Sequence, residues 1–161
     1  MSYRGKVILL GDAGVGKTSL IARYVDDIFR AEYTQTVGAN FLIKEVDLKK
    51  IIDKMKRENP NFSAEISSFM PFYWDIGGQK DKLFLNSYYF LQAVGAMVAF
   101  SIDNRESFNN LDFWISKMKE LSGDIPFIII GNKIDLQDKR VVHTEEIEKK
   151  AREYGVRYFE T

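Results

Sequence analysis

Cysteine is absent from all 161 residues. That excludes disulfides, thiolate metal sites, cysteine nucleophiles and a lipid anchor on cysteine for this chain. Neither charge is in surplus, because 23 basic residues balance 23 acidic ones. No global field therefore favours nucleic acid or a membrane. No apolar run is long enough to span a bilayer. The start, Met1-Ser2-Tyr3-Arg4, has neither an apolar signal region nor a myristoylation glycine. Repeats and low-complexity tracts are missing too. The expectation is a soluble, cytoplasmic chain of one domain, residues 1–161, long enough to bury a real core.

What is present starts with Gly11-Asp12-Ala13-Gly14-Val15-Gly16-Lys17-Thr18. It follows the apolar run Val7-Ile8-Leu9-Leu10 and precedes a helical pattern at Leu20, Ile21 and Tyr24. Strand, glycine loop and helix in that order form the context of a phosphate-binding loop. Glycines let backbone N–H groups turn inward around an anion, and the helix start adds orphan donors and a positive dipole end. Lys17 can reach terminal phosphates, and the Thr18 hydroxyl can ligate Mg²⁺. A plain helix-capping turn would need neither the second glycine nor Lys-Thr.

Continuous apolar runs at 7–10, 96–102 and 126–130 read as buried parallel strands. Helical faces separate them, with Phe108, Leu111, Ile115 and Met118 on one and Ile147, Ala151 and Tyr154 on another. Thr144 reads as a helix N-cap and Gly155 as its stop, with the lone His143 solvated ahead of it. This alternation implies an α/β doubly wound sheet, whose ligands bind beyond the strands' carboxyl ends. Residues 41–48 and 66–73 read as an antiparallel hairpin with a long inserted connection, 49–64. Its first half could form a short basic helix ended by Asn59-Pro60-Asn61, and Pro71 predicts a bulge. The basic segment reads as a solvated face or as a docking surface for a partner or anionic membrane. Trp74 and Trp114 read as packing residues.

Three further signals lie at expected strand ends. Trp74-Asp75-Ile76-Gly77-Gly78-Gln79 offers an acid for Mg²⁺ and a glycine N–H for a γ-phosphate; alone, it is an ordinary turn. Asn132-Lys133-Ile134-Asp135 offers a carboxylate that can accept from guanine N1–H and the 2-amino group, donors that adenine lacks. Thr36, in the polar run 33–38, offers a hydroxyl to Mg²⁺.

In this order the motifs resemble the Ras superfamily of small GTPases, and most of all its Rab branch. Thr36-Val37-Gly38 with Phe41, Ser87-Tyr88-Tyr89 and Arg105-Glu106-Ser107-Phe108-Asn109-Asn110 are all similar to Rab sequences. The resemblance covers the chain apart from 49–64. It implies a P-loop NTPase fold with a six-stranded, mostly parallel sheet, one antiparallel edge strand and helices on both faces. It implies GTP or GDP as ligand, held by Asp12, Ala13, Gly14, Val15, Gly16, Lys17, Thr18, Ser19, Phe29, Tyr33, Thr36, Gly78, Asn132, Lys133 and Asp135. Mg²⁺ would be held by Thr18 and Thr36, with Asp75 acting through water. Lys17, Thr36 and Gln79 would be catalytic, Gln79 by orienting the attacking water. Effectors and activating or exchange proteins would meet 30–41 and 77–89, the two switches. The implied function is a guanine-nucleotide switch that slowly hydrolyses GTP in membrane-traffic-type regulation. The rival reading is a non-hydrolysing, nucleotide-dependent interaction module.

The chain also departs from the pattern. Asp75-Ile76-Gly77-Gly78-Gln79 is similar to the Arf branch, with Gly77 where Rab proteins carry alanine, and Lys80 reverses a charge. The extra glycine is expected to loosen the loop holding Gln79. Tyr158-Phe159-Glu160-Thr161 matches only the start of the family's last motif. The expected Ser-Ala, final helix and lipidated tail are not in this sequence. The expectation is a truncated domain with an apolar sheet face open to self-association or a partner, peripheral at membranes only if a tail lies outside this chain.

Overall fold

The computed structural model describes residues 2–27, 35–36 and 38–161, and the side chains of all of these except 82–86. The sheet comprises β1 (Ser2–Leu10), β2 (Ala39–Ile43), β3 (Val46–Asp47), β4 (Ser68–Ile76), β5 (Ala93–Ser101), β6 (Phe127–Asn132) and β7 (Tyr158–Glu160). Strand order is β2-β4-β1-β5-β6-β7, with β3 also on β4. β1 and β4–β7 are parallel, whereas β2 and β3 run antiparallel to β4. The expected six positions with one antiparallel edge are there, but the edge is split between β2 and β3.

Pro71 explains the split. Ile43 pairs with Phe72 and Val46 with Phe69, so the register runs unbroken across the gap opposite Met70 and Pro71. Proline has no N–H to donate, and the ladder lapses there without an inserted residue. The expected bulge at Pro71 is therefore absent. The register shift lies instead between β1 and β5, at Lys6 and Val7. β1 also starts earlier than its apolar run. Its first residues pair only with β4, since pairing with β5 begins at Lys6. With one side open to water, those first residues tolerate the exposed Ser2 and Arg4.

The helices are α1 (Lys17–Asp26), α2 (Lys49–Glu58), α3 (Arg105–Asn109), α4 (Leu111–Ser122) and α5 (Thr144–Tyr154), with 3₁₀ turns at Lys80–Phe90 and Ile134–Lys139. α2 is the basic helix expected in the inserted connection. The Lys49 N–H donates to Asp47 Oδ1 at 2.8 Å to start it, and Asn59 turns extended just before Pro60. Thr144 is the first residue of α5 rather than its cap. His143 caps, its N–H donating to Glu146 at 3.1 Å, while the Thr144 hydroxyl donates to Glu160 at 3.2 Å. Glu160 had a stronger claim on that hydroxyl because β7 brings it alongside. His143 is exposed, as expected, and Gly155 ends the helix.

Strand alternation divides the core. Ile8, Leu10, Val98, Phe100 and Ile129 face α4 and α5, packing on Leu111, Trp114, Ile115, Met118 and Ile147. Leu9, Ala99 and Ile130 face the other way, toward α1 and Val15. On this second face Val7, Met97 and Ile128 are half-buried and Phe159 is 49% exposed. Because β1, β4, β5 and β6 are parallel, their carboxyl ends all open on one edge of the sheet.

Candidate functional site

β1 delivers the loop 11–18 to that edge. Val15 is its apolar peg, buried against Ala99 and Ile130. Gly16 leads into α1 at φ 95°, a left-handed turn that points the first helical N–H groups back into the loop. Asn132, from the end of β6, donates its side-chain amide to the Val15 carbonyl at 2.9 Å. Asn132 Oδ1 accepts from the Thr161 hydroxyl at 2.9 Å, and the Ile134 N–H donates to the Thr161 carbonyl at 3.0 Å. Lys133, in a left-handed turn at φ 68°, brings its stem close to Gly16. Asp135 follows, exposed at the start of the second 3₁₀ turn.

Lys17 is 5% exposed and lies along the loop, donating to the Gly11 carbonyl at 2.8 Å and the Asp12 carbonyl at 2.9 Å. Burial pulls its pKa down to about 8, against the pull of Asp75 and Asp12. The Asp12 carboxylate is held from α4: it accepts from Asn110 Nδ2 at 2.6 Å and from Trp114 Nε1 at 2.7 Å. Charge-assisted bonds of this kind are among the stronger ones. Trp114 therefore packs, as expected, and also bolts α4 to the loop. Ser19 is half-buried in the first turn of α1.

The end of β4 meets the same loop. Thr18 Oγ1 lies 2.8 Å from Thr36 Oγ1 and donates to Asp75 Oδ2, which also accepts from Thr36 at 3.4 Å. Asp75 is fully buried, and its Oδ1 has no hydrogen-bond partner among the described residues. Burial raises its pKa, opposed by Thr18, Lys17 and Thr36. Hard oxygen donors of this type suit Mg²⁺, which takes few carboxylates and keeps waters and phosphate oxygens. An orphaned buried carboxylate oxygen beside two hydroxyls fits that ion, so Thr18, Thr36 and Asp75 are the residues that would hold it. Gly78 reaches the loop by its carbonyl, which accepts from the Ala13 N–H at 3.1 Å. Gln79 is half-buried, its Nε2 buried with no partner among the described residues.

Gly77 does not loosen this loop. Its N–H donates to the Gly38 carbonyl at 2.9 Å, and a Cβ there would sit 2.8 Å from the Thr36 carbonyl. Glycine is what allows the Thr36 segment to press against the end of β4. Lys80, the reversed charge, turns to α4, its Nζ 5.0 Å from the Phe113 ring centre. Phe41, Trp74 and Tyr89 form a run of aromatic contacts across both segments, with centroid separations of 5.9 and 5.7 Å. Trp74 is thus a bridge as well as a packing residue. Phe29 and Tyr33 lie outside the described residues.

The sequence model of the Ras family matches residues 6–161. The chain belongs to the Ras family. Among its relatives, Ras-related protein Rab-13 of Bos taurus is 34% identical over 157 residues, covering 97% of this chain and 70% of that protein. Ras-related protein Rab-8B of Homo sapiens is 34% identical over 160 residues, covering 99% and 70%. Ras-related protein Rab-8A of Rattus norvegicus shows the same identity and coverage. This Ras-family chain is a Rab-like small GTPase, of the class that hydrolyses GTP to GDP and phosphate.

Three residues that brace this candidate site escaped the reading of the sequence. Asn110 and Trp114 carry no local sign except their i,i+4 spacing, which puts both on one helix face. Thr161 was legible only as part of a motif's beginning; its grip on Asn132 needs β7 beside β6.

Proposed function

We propose that the chain is a Mg²⁺-dependent guanine-nucleotide switch that binds GTP and GDP and hydrolyses GTP slowly. The observation that carries it is the junction of Thr18, Thr36 and Asp75, where the phosphate loop, the first switch and the end of β4 share one hydrogen-bond network. A ligand bridging Thr18 and Thr36 would hold the first switch, and losing the γ-phosphate would release it. Mg²⁺ held by Thr18, Thr36 and Asp75 would supply charge neutralisation to the phosphates.

In this reading the loop amides of 13–18 cradle the phosphates, and Lys17 gives up its two carbonyl partners for phosphate oxygens. Ser19 completes the loop's contacts with the nucleotide. Gln79, whose buried amide nitrogen has no partner among the described residues, orients the attacking water, and the Gly78 N–H meets the γ-phosphate once the Gly78 carbonyl releases the Ala13 N–H. Asn132 and Lys133 brace the loop, and Asp135 accepts from guanine. Phe29 packs on the base and Tyr33 closes over the phosphates. Catalysis is positioning and charge stabilisation, without a covalent intermediate. The reading assigns no arginine to the γ-phosphate, so turnover is slow until a partner supplies one, an acceleration of roughly 10³–10⁵.

Effectors, exchange proteins and activating proteins meet 30–41 and 77–89, where Phe41 and Tyr88 are 57% and 56% exposed beside Trp74 and Tyr89. The likeness to Rab proteins supports a role in membrane-traffic-type regulation, with the domain cytoplasmic or peripheral at membranes. Residues 49–64 are an insertion within the one domain. The test is displacement of a fluorescent GDP analogue in Mg²⁺. GTP and GDP should compete and ATP should not; equal competition by ATP would remove the guanine assignment. Gln79→Leu should retain nucleotide while single-turnover phosphate release falls by at least about tenfold. No release from the unaltered chain would make it a non-hydrolysing interaction module.

A further inference from the structure

None of the residues of α2 is buried, so the core gains little from the helix's amphipathic pattern. The pattern is nevertheless pronounced. Ile51 and Met55, one turn apart, are 51% and 41% exposed, and Leu48 and Ile52 extend the stripe half-buried. At about 3.6 residues per turn, Lys54 lies to one side of this stripe and Lys49 and Lys56 to the other. Lys50, Asp53 and Arg57 fall on the opposite face, and Glu58, at the edge of the stripe beside Ile51, is paired with Lys54 at 3.8 Å. The helix holds five basic residues against two acidic ones, in a chain of zero net charge.

Its position is as telling as its composition. Asp47, at the end of β3, pairs with Ser68, and Ser68 pairs with Ser2 at the start of β1. The phosphate loop leaves the other end of β1. The nine residues of that strand, at about 3.3 Å each, put roughly 30 Å between α2 and the nucleotide site.

We propose that α2 docks the domain on an anionic lipid bilayer. Ile51 and Met55 enter the headgroup boundary, and lysines on both flanks meet the negative surface with their stems along the stripe. A protein groove would call for a rigid aromatic or arginine at the centre of the contact. Here the stripe is narrow and aliphatic, with lysines to both sides and the one acid at its edge, Glu58, paired with Lys54, which suits a fluid anionic surface. A domain held by α2 keeps the phosphate loop and both switches at the far pole, accessible to nucleotide and to protein partners.

The test is flotation of the full chain, loaded with GDP and Mg²⁺, with vesicles of phosphatidylcholine alone or with about one third phosphatidylserine. Binding is expected to the anionic vesicles only. It should fade as salt rises from about 0.1 to about 1 M, where the screening length falls from ~10 to ~3 Å. Lys54→Gln with Lys56→Gln should lower the partition coefficient roughly 25-fold, about fivefold per basic residue. Ile51→Ser with Met55→Ser should lower it at least about tenfold. Both variants should retain GDP with unchanged affinity, which shows that they fold. No vesicle binding, equal binding to neutral vesicles, or full binding by either folded variant would overturn the proposal. So would capture of an acidic peptide by α2 without vesicle binding, which would give the face to a protein. The readout does not involve hydrolysis, so its failure leaves the switch reading intact.

Discussion

An added methyl at Gly77 has nowhere to go. The Thr36 carbonyl, 2.8 Å from the Cβ position, is backbone and cannot rotate away, so Thr36 itself must retreat from Thr18 and Asp75. Gly77→Ala should therefore cost ~1–3 kcal/mol, a fall in Tm of about 2–4 °C per kcal/mol. It should also speed GDP release in excess Mg²⁺, measured by stopped-flow. Unaltered release would show that the segment absorbs the methyl without moving Thr36. At this scale the sequence was a good guide to chemistry and a poor one to geometry. Lys17, Thr18 and Asp75 are legible from residue type and spacing. That Gly77 serves a close approach is not, because the atoms it makes room for lie about forty residues earlier in the chain.

Among the elements, α4 does more than cover the sheet. Through Asn110 and Trp114 it holds the Asp12 carboxylate, and through Phe113 it lies under Lys80. A shift of the helix start is thus felt at the phosphate loop and at the residue following Gln79. Trp114→Phe keeps most of the packing and removes one bond to a charged group, an expected loss of ~1.5–3 kcal/mol. In a double-mutant cycle with Asp12→Ala, thermal unfolding should give a coupling of about 0.5–3 kcal/mol. Strict additivity would mean that Trp114 acts by packing alone. The apolar face of α4 was plain in the sequence because Leu111, Ile115 and Met118 recur at helical spacing. Its polar start was not, because nothing local says where Asn110 and the indole N–H point.

For the whole molecule, the helices are cross-tied by ion pairs as well as by the core. Arg105 at the start of α3 grips both Glu146 oxygens in α5, at 2.6 and 3.0 Å, and Asp112 in α4 meets Lys150 and Tyr154. The Arg105 guanidinium and the His143 N–H pull the Glu146 carboxyl down to about 2. A carboxylate lowered from 4.5 contributes its stability above that value and loses it as pH falls toward about 2. Both side chains are about 40% exposed, so solvent limits the pair to about 1 kcal/mol or less. Glu146→Gln should lower Tm by no more than about 4 °C at pH 7, and the difference from the unaltered protein should close as pH falls from about 4.5 toward about 2. A gap that persists at low pH would assign the loss to helix capping. The doubly wound class, the phosphate loop and the motif order were decided by the sequence alone, since apolar periodicity and loop chemistry are local properties. The split edge opposite Pro71, the clamp on Asp12, the Thr161–Asn132 bond and the exposure of α2 were decided only by tertiary structure. Each depends on which distant segments the sheet order brings side by side, and no window of neighbouring residues encodes that.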